Sequence, residues 1–152
     1  VTIERTFEHQ IWISANTDAL TGLYNRRFFY EYMNENRKEN QLSLLYVDLD
    51  DFKKVNDAHG HHIGDGALEL VARLMREAFP GDFIVRLGGD EFLICLVGER
   101  SLAFLEEKAN RLLQSLLGAF QASDYLRVMS ASIGIASSAD PGTKLDDLVR
   151  QT

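Results

Sequence analysis

The chain has 152 residues, 45% hydrophobic and 26% charged, with a formal net charge of -7 and a single cysteine. That length and balance suit one globular domain with a real core and exclude a chain that is disordered throughout. The acidity excludes a broad basic surface for sequence-independent nucleic-acid binding, and one cysteine excludes an intramolecular disulfide or a cysteine-built metal cluster.

Residues 1–16 carry Ile3, Phe7, Ile11 and Ala15 at helical spacing, and Asn16-Thr17-Asp18 then offers turn chemistry. From Arg26 to Asn40 the chain is charged and aromatic, which predicts a helix with Phe29, Tyr32 and Met33 inward. Leu42 to Asp48 is a compact apolar run ending in a carboxylate and reads as a buried strand. Ile63 to Phe79 has helical spacing, with Ala67, Val71, Leu74 and Ala78 on one face. Phe83–Leu87 and Phe92–Val97 are β-rich runs joined by a turn that begins Gly88-Gly89, a strong hairpin signal. Cys95 lies within the second run and reads as a small buried hydrophobe. Ser101 to Phe120 is an amphipathic helix, Leu126 to Ser137 a further strand, and Leu145 to Arg150 the start of a last helix. Helices interleave with strands, but the hairpin makes the sheet mixed or antiparallel. The expected fold is α/β (α+β): four or five strands, largely antiparallel, flanked by helices in a ferredoxin-like or palm-type topology. No apolar stretch reaches membrane-spanning length, and the first residues lack the pattern of a secretory signal, so a cytoplasmic setting is expected.

Three polar patches fall at strand ends and turns. The first is Asp48-Leu49-Asp50-Asp51. A carboxylate ending a buried strand must be solvated, paired or metal-bound. Asp48 and Asp50 share a face if the strand runs that far, while Asp50 or Asp51 is also a candidate cap for a short helix starting at Phe52. The second patch is Gly88-Gly89-Asp90-Glu91-Phe92, two adjacent acids entering an apolar strand. Something positive must offset them, or one stays protonated. If this hairpin lies beside the Asp48 strand, two or three carboxylates meet, an oxygen-only donor set suited to Mg²⁺ or Mn²⁺. The third patch runs from Asn56 to Gly66 and holds three histidines in four residues. A solvated glycine-rich turn before a helix is the plain reading, and the spacing matches no common zinc helix. Base recognition is the functional alternative, since aspartate accepts from guanine's N–H edge and asparagine can bridge.

Gly88-Gly89-Asp90-Glu91-Phe92 resembles the signature of the GGDEF domain, the diguanylate cyclase family. Four further stretches agree in order and spacing. They are Asp18-Ala19-Leu20-Thr21-Gly22-Leu23-Tyr24-Asn25-Arg26-Arg27; Asp48-Leu49-Asp50 with Phe52-Lys53 and Asn56-Asp57; His61 with Gly64-Asp65; and Ser132-Ile133-Gly134-Ile135-Ala136. The resemblance spans about residues 18–150 and implies a nucleotidyl cyclase of palm type that condenses two GTP into cyclic di-GMP with release of two pyrophosphates. It implies metal ligands at Asp48, the Leu49 carbonyl, Asp90 and Glu91, with Mg²⁺ or Mn²⁺, two per half-site. It assigns Asp90 and Glu91 as catalytic, Asp90 being the base for the 3′-hydroxyl. Substrate contacts fall on Phe52, Lys53, Asn56, His61, Asp65, Gly88 and Gly89, with Asn56 and Asp65 reading guanine. One GTP per subunit implies a homodimer.

Two departures accompany the resemblance. The family's later helix, with a lysine and an arginine that hold the triphosphate, has no convincing counterpart in Lys144 and Arg150. The expected layout is therefore a signalling-helix tail or linker over 1–16, from an upstream sensory region, and a GGDEF domain over 17–152 that stops before its C-terminal helix. The family's inhibitory Arg-x-x-Asp product site reads Phe79-Pro80-Gly81-Asp82 here, with Arg76 one turn earlier. Three functions compete: an active cyclase, a non-catalytic module binding GTP or cyclic di-GMP, and a palm enzyme with another nucleotide. The intact acids favour the first, and Asn56 with Asp65 disfavours the third. Neither a nucleic-acid partner nor a membrane segment is expected.

Overall fold

A computed structural model describes residues 3–36, 41–98 and 100–137. In chain order the elements are α1 (Ile3–Asn16), β1 (Tyr24–Asn25), α2 (Arg26–Asn36), β2 (Leu42–Asp50), α3 (Phe52–His59), α4 (His61–Ala78), β3 (Phe83–Gly88), β4 (Glu91–Val97), α5 (Leu102–Gln121) and β5 (Ser130–Ser137). The strands form one five-stranded sheet in the order β1-β3-β4-β2-β5. All its pairings are antiparallel except that of β1 with β3.

Alternation along the strands gives each face of the sheet its own core. Leu45, Val47 and Leu49 of β2 join Phe92, Ile94 and Leu96 of β4 beneath α3, α4 and α5. Helix α4 closes this side with Ala67, Leu68, Val71, Ala72 and Met75, and α5 with Leu105, Ala109, Leu112, Leu116 and Phe120, both at helical spacing. Ser101 starts α5 by accepting the Phe104 N–H at 3.1 Å, an N-cap bond. On the opposite face Leu42, Leu44, Leu93 and Cys95 pack under Phe29 and Met33 of α2. Burial pushes the Cys95 thiol up to about 12, with the charge of Asp82 adding to it, so Cys95 is the inert hydrophobe expected.

Several expectations shift. Helix α1 forms, but Phe7 and Ile11 stay 63% and 61% exposed, because the helix meets the domain near its end, through Trp12, edge-on to Phe28 at 5.9 Å, and the Ala15 carbonyl, which accepts from Asn25 Nδ2 at 2.9 Å. The Asn56–Gly66 patch is not a glycine-rich turn but two helices that meet at Gly60. Its φ of 89° breaks the helical path, and its N–H donates to Asn56 O at 2.8 Å while its carbonyl accepts from Gly64 at 3.2 Å. Strand β5 starts at Ser130 rather than Leu126; Leu126 and Met129 instead anchor a turn closed by Met129 N–H to Leu126 O at 2.9 Å. Strand β1 escaped the sequence because two residues carry no period. The helix from Leu145 to Arg150, with Lys144, lies outside the described residues, as does the 37–40 end of the second helix.

Candidate active site

The candidate site forms where β2 ends against the start of β4. Strand β2 runs on to Asp50, so Tyr46, Asp48 and Asp50 share the face opposite the larger core. Asp48 stands directly across from Glu91, and the Leu49 N–H donates to the Asp90 carbonyl at 3.1 Å. A residue's N–H and C=O leave an antiparallel strand on the same side, so the Leu49 carbonyl also faces the Asp90 turn. Cross-strand partners share a face, which puts Glu91 beside Asp48, while Asp90 sits in the turn before β4. The two adjacent acids therefore hold different positions, as the sequence required.

The turn itself is a tight hairpin. Gly88 and Gly89 have φ of 150° and 49°, and the register shifts between Arg86 and Gly88. Arg86 clamps this turn. Its Nε and Nη2 donate to the Gly89 carbonyl at 3.0 and 2.8 Å, and its Nη1 donates to both Asp18 oxygens at 3.1 and 3.2 Å. Asp18 Oδ2 also accepts from the Thr21 N–H at 2.9 Å and hydroxyl at 2.7 Å. Burial alone would raise the Asp18 pKa, but the Thr21 bonds and the Arg86 charge together hold it below the ordinary value. The same loop is tied to α4 by Arg76, which donates to the Thr21 carbonyl at 2.7 Å.

The carboxylates crowd one another. Burial, then the charges of Asp90, Glu91 and Asp50, raises the Asp48 pKa. Burial, a hydrogen bond to Glu91 and the nearby carboxylates push the Tyr46 hydroxyl far above its ordinary range. Among the described residues none of the ion pairs includes Asp48, Asp90 or Glu91. No group of three His, Cys, Asp or Glu side chains there is arranged as a ready-made metal cage. The donor set nevertheless fits a hard divalent cation: oxygen-only, anionic and under mutual repulsion that a cation would relieve.

The other expected residues lie along the next two helices. Phe52 and Asn56 are half-buried on α3, and Gly64 is buried on α4. The Asn56 side chain lies against Gly64, with Oδ1 buried and without a hydrogen-bond partner. Lys53, His61 and Asp65 are exposed on the early turns of α3 and α4. Asp51 occupies the N-cap position of α3 with φ of 63° but makes no side-chain cap bond; it faces Lys54 at 3.3 Å. Asp50 is not a cap either: Ser130 and Ser132 hydroxyls of β5 donate to its Oδ2 at 3.0 and 2.9 Å. The capping expectation for this pair therefore fails, because the strand continues to Asp50 and turns only after it. Phe79, at the arginine position of the expected product site, is 1% exposed within the core. Lys108 lies 4.9 Å over its ring and donates to the Ala78 carbonyl at 2.9 Å.

Sequence reasoning assigned no site role to Tyr46, Ser130, Ser132, Arg86 or Asp18. Tyr46 was findable, two residues before Asp48 and hence on its face. The serines gave no local sign, because their role follows from the pairing of β5 with β2 across 80 residues of chain.

Residues 15–152 match the protein family described as diguanylate cyclase, GGDEF domain. The chain is 36% identical over 154 residues to the cyclic di-GMP phosphodiesterase PdeR of Escherichia coli (strain K12), covering 99% of this chain and 23% of that protein. It is 38% identical over 102 residues to the diguanylate cyclase DgcM of the same strain, covering 63% of this chain and 25% of DgcM. It thus spans about a quarter of the length of these curated relatives. The coiled coil and GGDEF domain of DgcB from Caulobacter crescentus, solved in complex with c-di-GMP, superposes with a TM-score of 0.84 at 27% identity, covering 97% of this chain and 83% of that one.

Proposed function

The chain belongs to the GGDEF domain family, and on that premise we propose that it is a diguanylate cyclase domain that condenses two GTP into cyclic di-GMP with release of two pyrophosphates. The observation that carries the reading is the placement of Asp48 across from Glu91, with Asp90 in the adjoining turn. Three carboxylates at one strand end repel each other and repel a triphosphate, so they suit catalysis only with a divalent cation between. Asp48, Glu91, Asp90 and the Leu49 carbonyl would hold Mg²⁺ or Mn²⁺, two per half-site. When bound, these ions neutralise the α-phosphate and acidify the attacking hydroxyl.

The chain's own residues do the rest. Asp90 takes the 3′-hydroxyl proton as the 3′-oxygen bonds to the α-phosphorus of the other nucleotide, and the bond from that phosphorus to the pyrophosphate oxygen breaks. Gly88 and Gly89 let the backbone approach the nucleotide without a Cβ between. Asn56 and Asp65 read guanine, with Phe52, Lys53 and His61 as further contacts. Each subunit holds one GTP, so two copies face each other across a dyad. The domain works in the cytoplasm, where GTP is made, on a signal from an upstream sensory region.

The test is incubation of the concentrated protein with GTP and Mg²⁺ and chromatography of the nucleotides. Cyclic di-GMP from the parent and none from Asp90→Asn supports the cyclase, and specific activity should fall on dilution. The similarity to a protein named as a phosphodiesterase favours one second reading, a non-catalytic module that binds GTP or cyclic di-GMP. Under it the parent binds nucleotide and forms no product. Asp65→Ala should weaken GTP and spare ATP under either reading, and a palm enzyme for another nucleotide would break that pattern.

A further inference from the structure

We infer that Gly64 is a positioning residue for base recognition: its missing side chain is the seat of the Asn56 carboxamide. This deepens the guanine reading of Asn56 and rests on it. Gly64 lies in α4 in ordinary helical conformation and is buried. Nothing in the local backbone calls for glycine there, and a helix favours alanine. The requirement comes from the neighbouring helix. A Cβ at Gly64 would collide with Asn56 Oδ1, come within 2.8 Å of Asn56 Cγ and touch Phe52 Cζ at 3.4 Å. Gly66, two residues on in the same helix, has nothing within 4 Å of its Cβ position. The contrast separates a glycine required by a close approach from one that is not.

The Asn56 side has its own sign of the same fit. Its Oδ1 is buried and finds no hydrogen-bond donor, although buried polar atoms nearly always do. It sits where the glycine's second Cα–H points, a weak C–H···O contact that only glycine can offer in that direction. Gly64 therefore sets how far the carboxamide withdraws against α4 and which way it faces. An alanine there drives the Asn56 side chain off its rotamer and toward the space the base would fill, while Asp65 next to it stays in place.

The experiment is a binding cycle. Affinities for non-hydrolysable GTP and ATP analogues are measured with Mg²⁺ for the parent, Gly64→Ala, Asn56→Ala, the double variant and Gly66→Ala. The expected result is that Gly64→Ala weakens GTP about tenfold and spares ATP. The double variant should bind GTP no more weakly than Asn56→Ala, and Gly66→Ala should bind as the parent does. Should Gly64→Ala fail to fold, the double variant, with the collision gone, is expected to restore the fold. Unchanged GTP affinity in Gly64→Ala, equal losses for GTP and ATP, or independent losses from the two positions would overturn the inference while the guanine reading survives. A parent that binds ATP as well as GTP would overturn the guanine reading, and this inference with it.

Discussion

Replacing Arg86 by alanine removes two contacts to Asp18 and two to the Gly89 carbonyl. The side chains of the pair are 16% and 21% exposed, so neither the near-zero value of a surface pair nor the full penalty of a buried one applies. Asp18 keeps its two bonds from Thr21, so its charge is not left wholly unpaired. A loss of about 2 kcal/mol follows from charge-assisted bonds at this depth. For a domain of this size that is a fall of about 4–8 °C in melting temperature. The folded pKa of Asp18 lies below its unfolded value. Its contribution is therefore fully present above the unfolded value and fades as pH falls through the folded one. The Arg86→Ala variant should lose part of that acid sensitivity. Thermal melts of Arg86→Ala, Asp18→Ala and the double variant, between neutral and acid pH, make the assay. A shift under about 1 °C for Arg86→Ala, or single effects that add to within about 0.5 kcal/mol, would refute the reasoning.

Gly66→Ala should stabilise the protein by about 0.5–1 kcal/mol, read as a rise in melting temperature, because the site is exposed, helical and open. Asp48→Asn should abolish turnover yet raise the melting temperature of the metal-free protein at neutral pH. The folded pKa of Asp48 is raised, so its ionised form is disfavoured by the fold, and parent stability should climb as pH falls through that pKa toward the unfolded value. Addition of Mg²⁺ should stabilise the parent against heat, with reversal by EDTA, and leave Asp48→Asn unmoved. Any inhibition by cyclic di-GMP should be indifferent to Asp82→Ala, because Phe79 stands in the core where the expected product site needs an arginine; loss of inhibition in that variant would show a working site at Asp82.

Motif residues are legible in the sequence, because spacing alone puts Asp48 at a strand end and Asp90-Glu91 after a glycine turn. Helices α4 and α5 and the hairpin were legible for the same reason: their periods are local. The Asn56–Gly66 stretch misread as a turn because its three glycines mark loops by composition, while only Gly60 breaks the helix. The cap expected of Asp50 fails because nothing near it in sequence shows that β5 brings Ser130 and Ser132 alongside, while Asp51 takes the N-cap position at φ 63° without a side-chain cap bond.

Sequence by itself determined the family, the alternating layers and the identity of the acids, since each depends on residue type and short-range spacing. Tertiary structure alone decided that Asp48 faces Glu91, that Arg86 ties the glycine turn to Asp18, and that Gly64 makes room for Asn56. Those are contacts between segments distant along the chain or between separate elements. Their geometry depends on sheet register and helix packing, which a local pattern of residues constrains but does not specify.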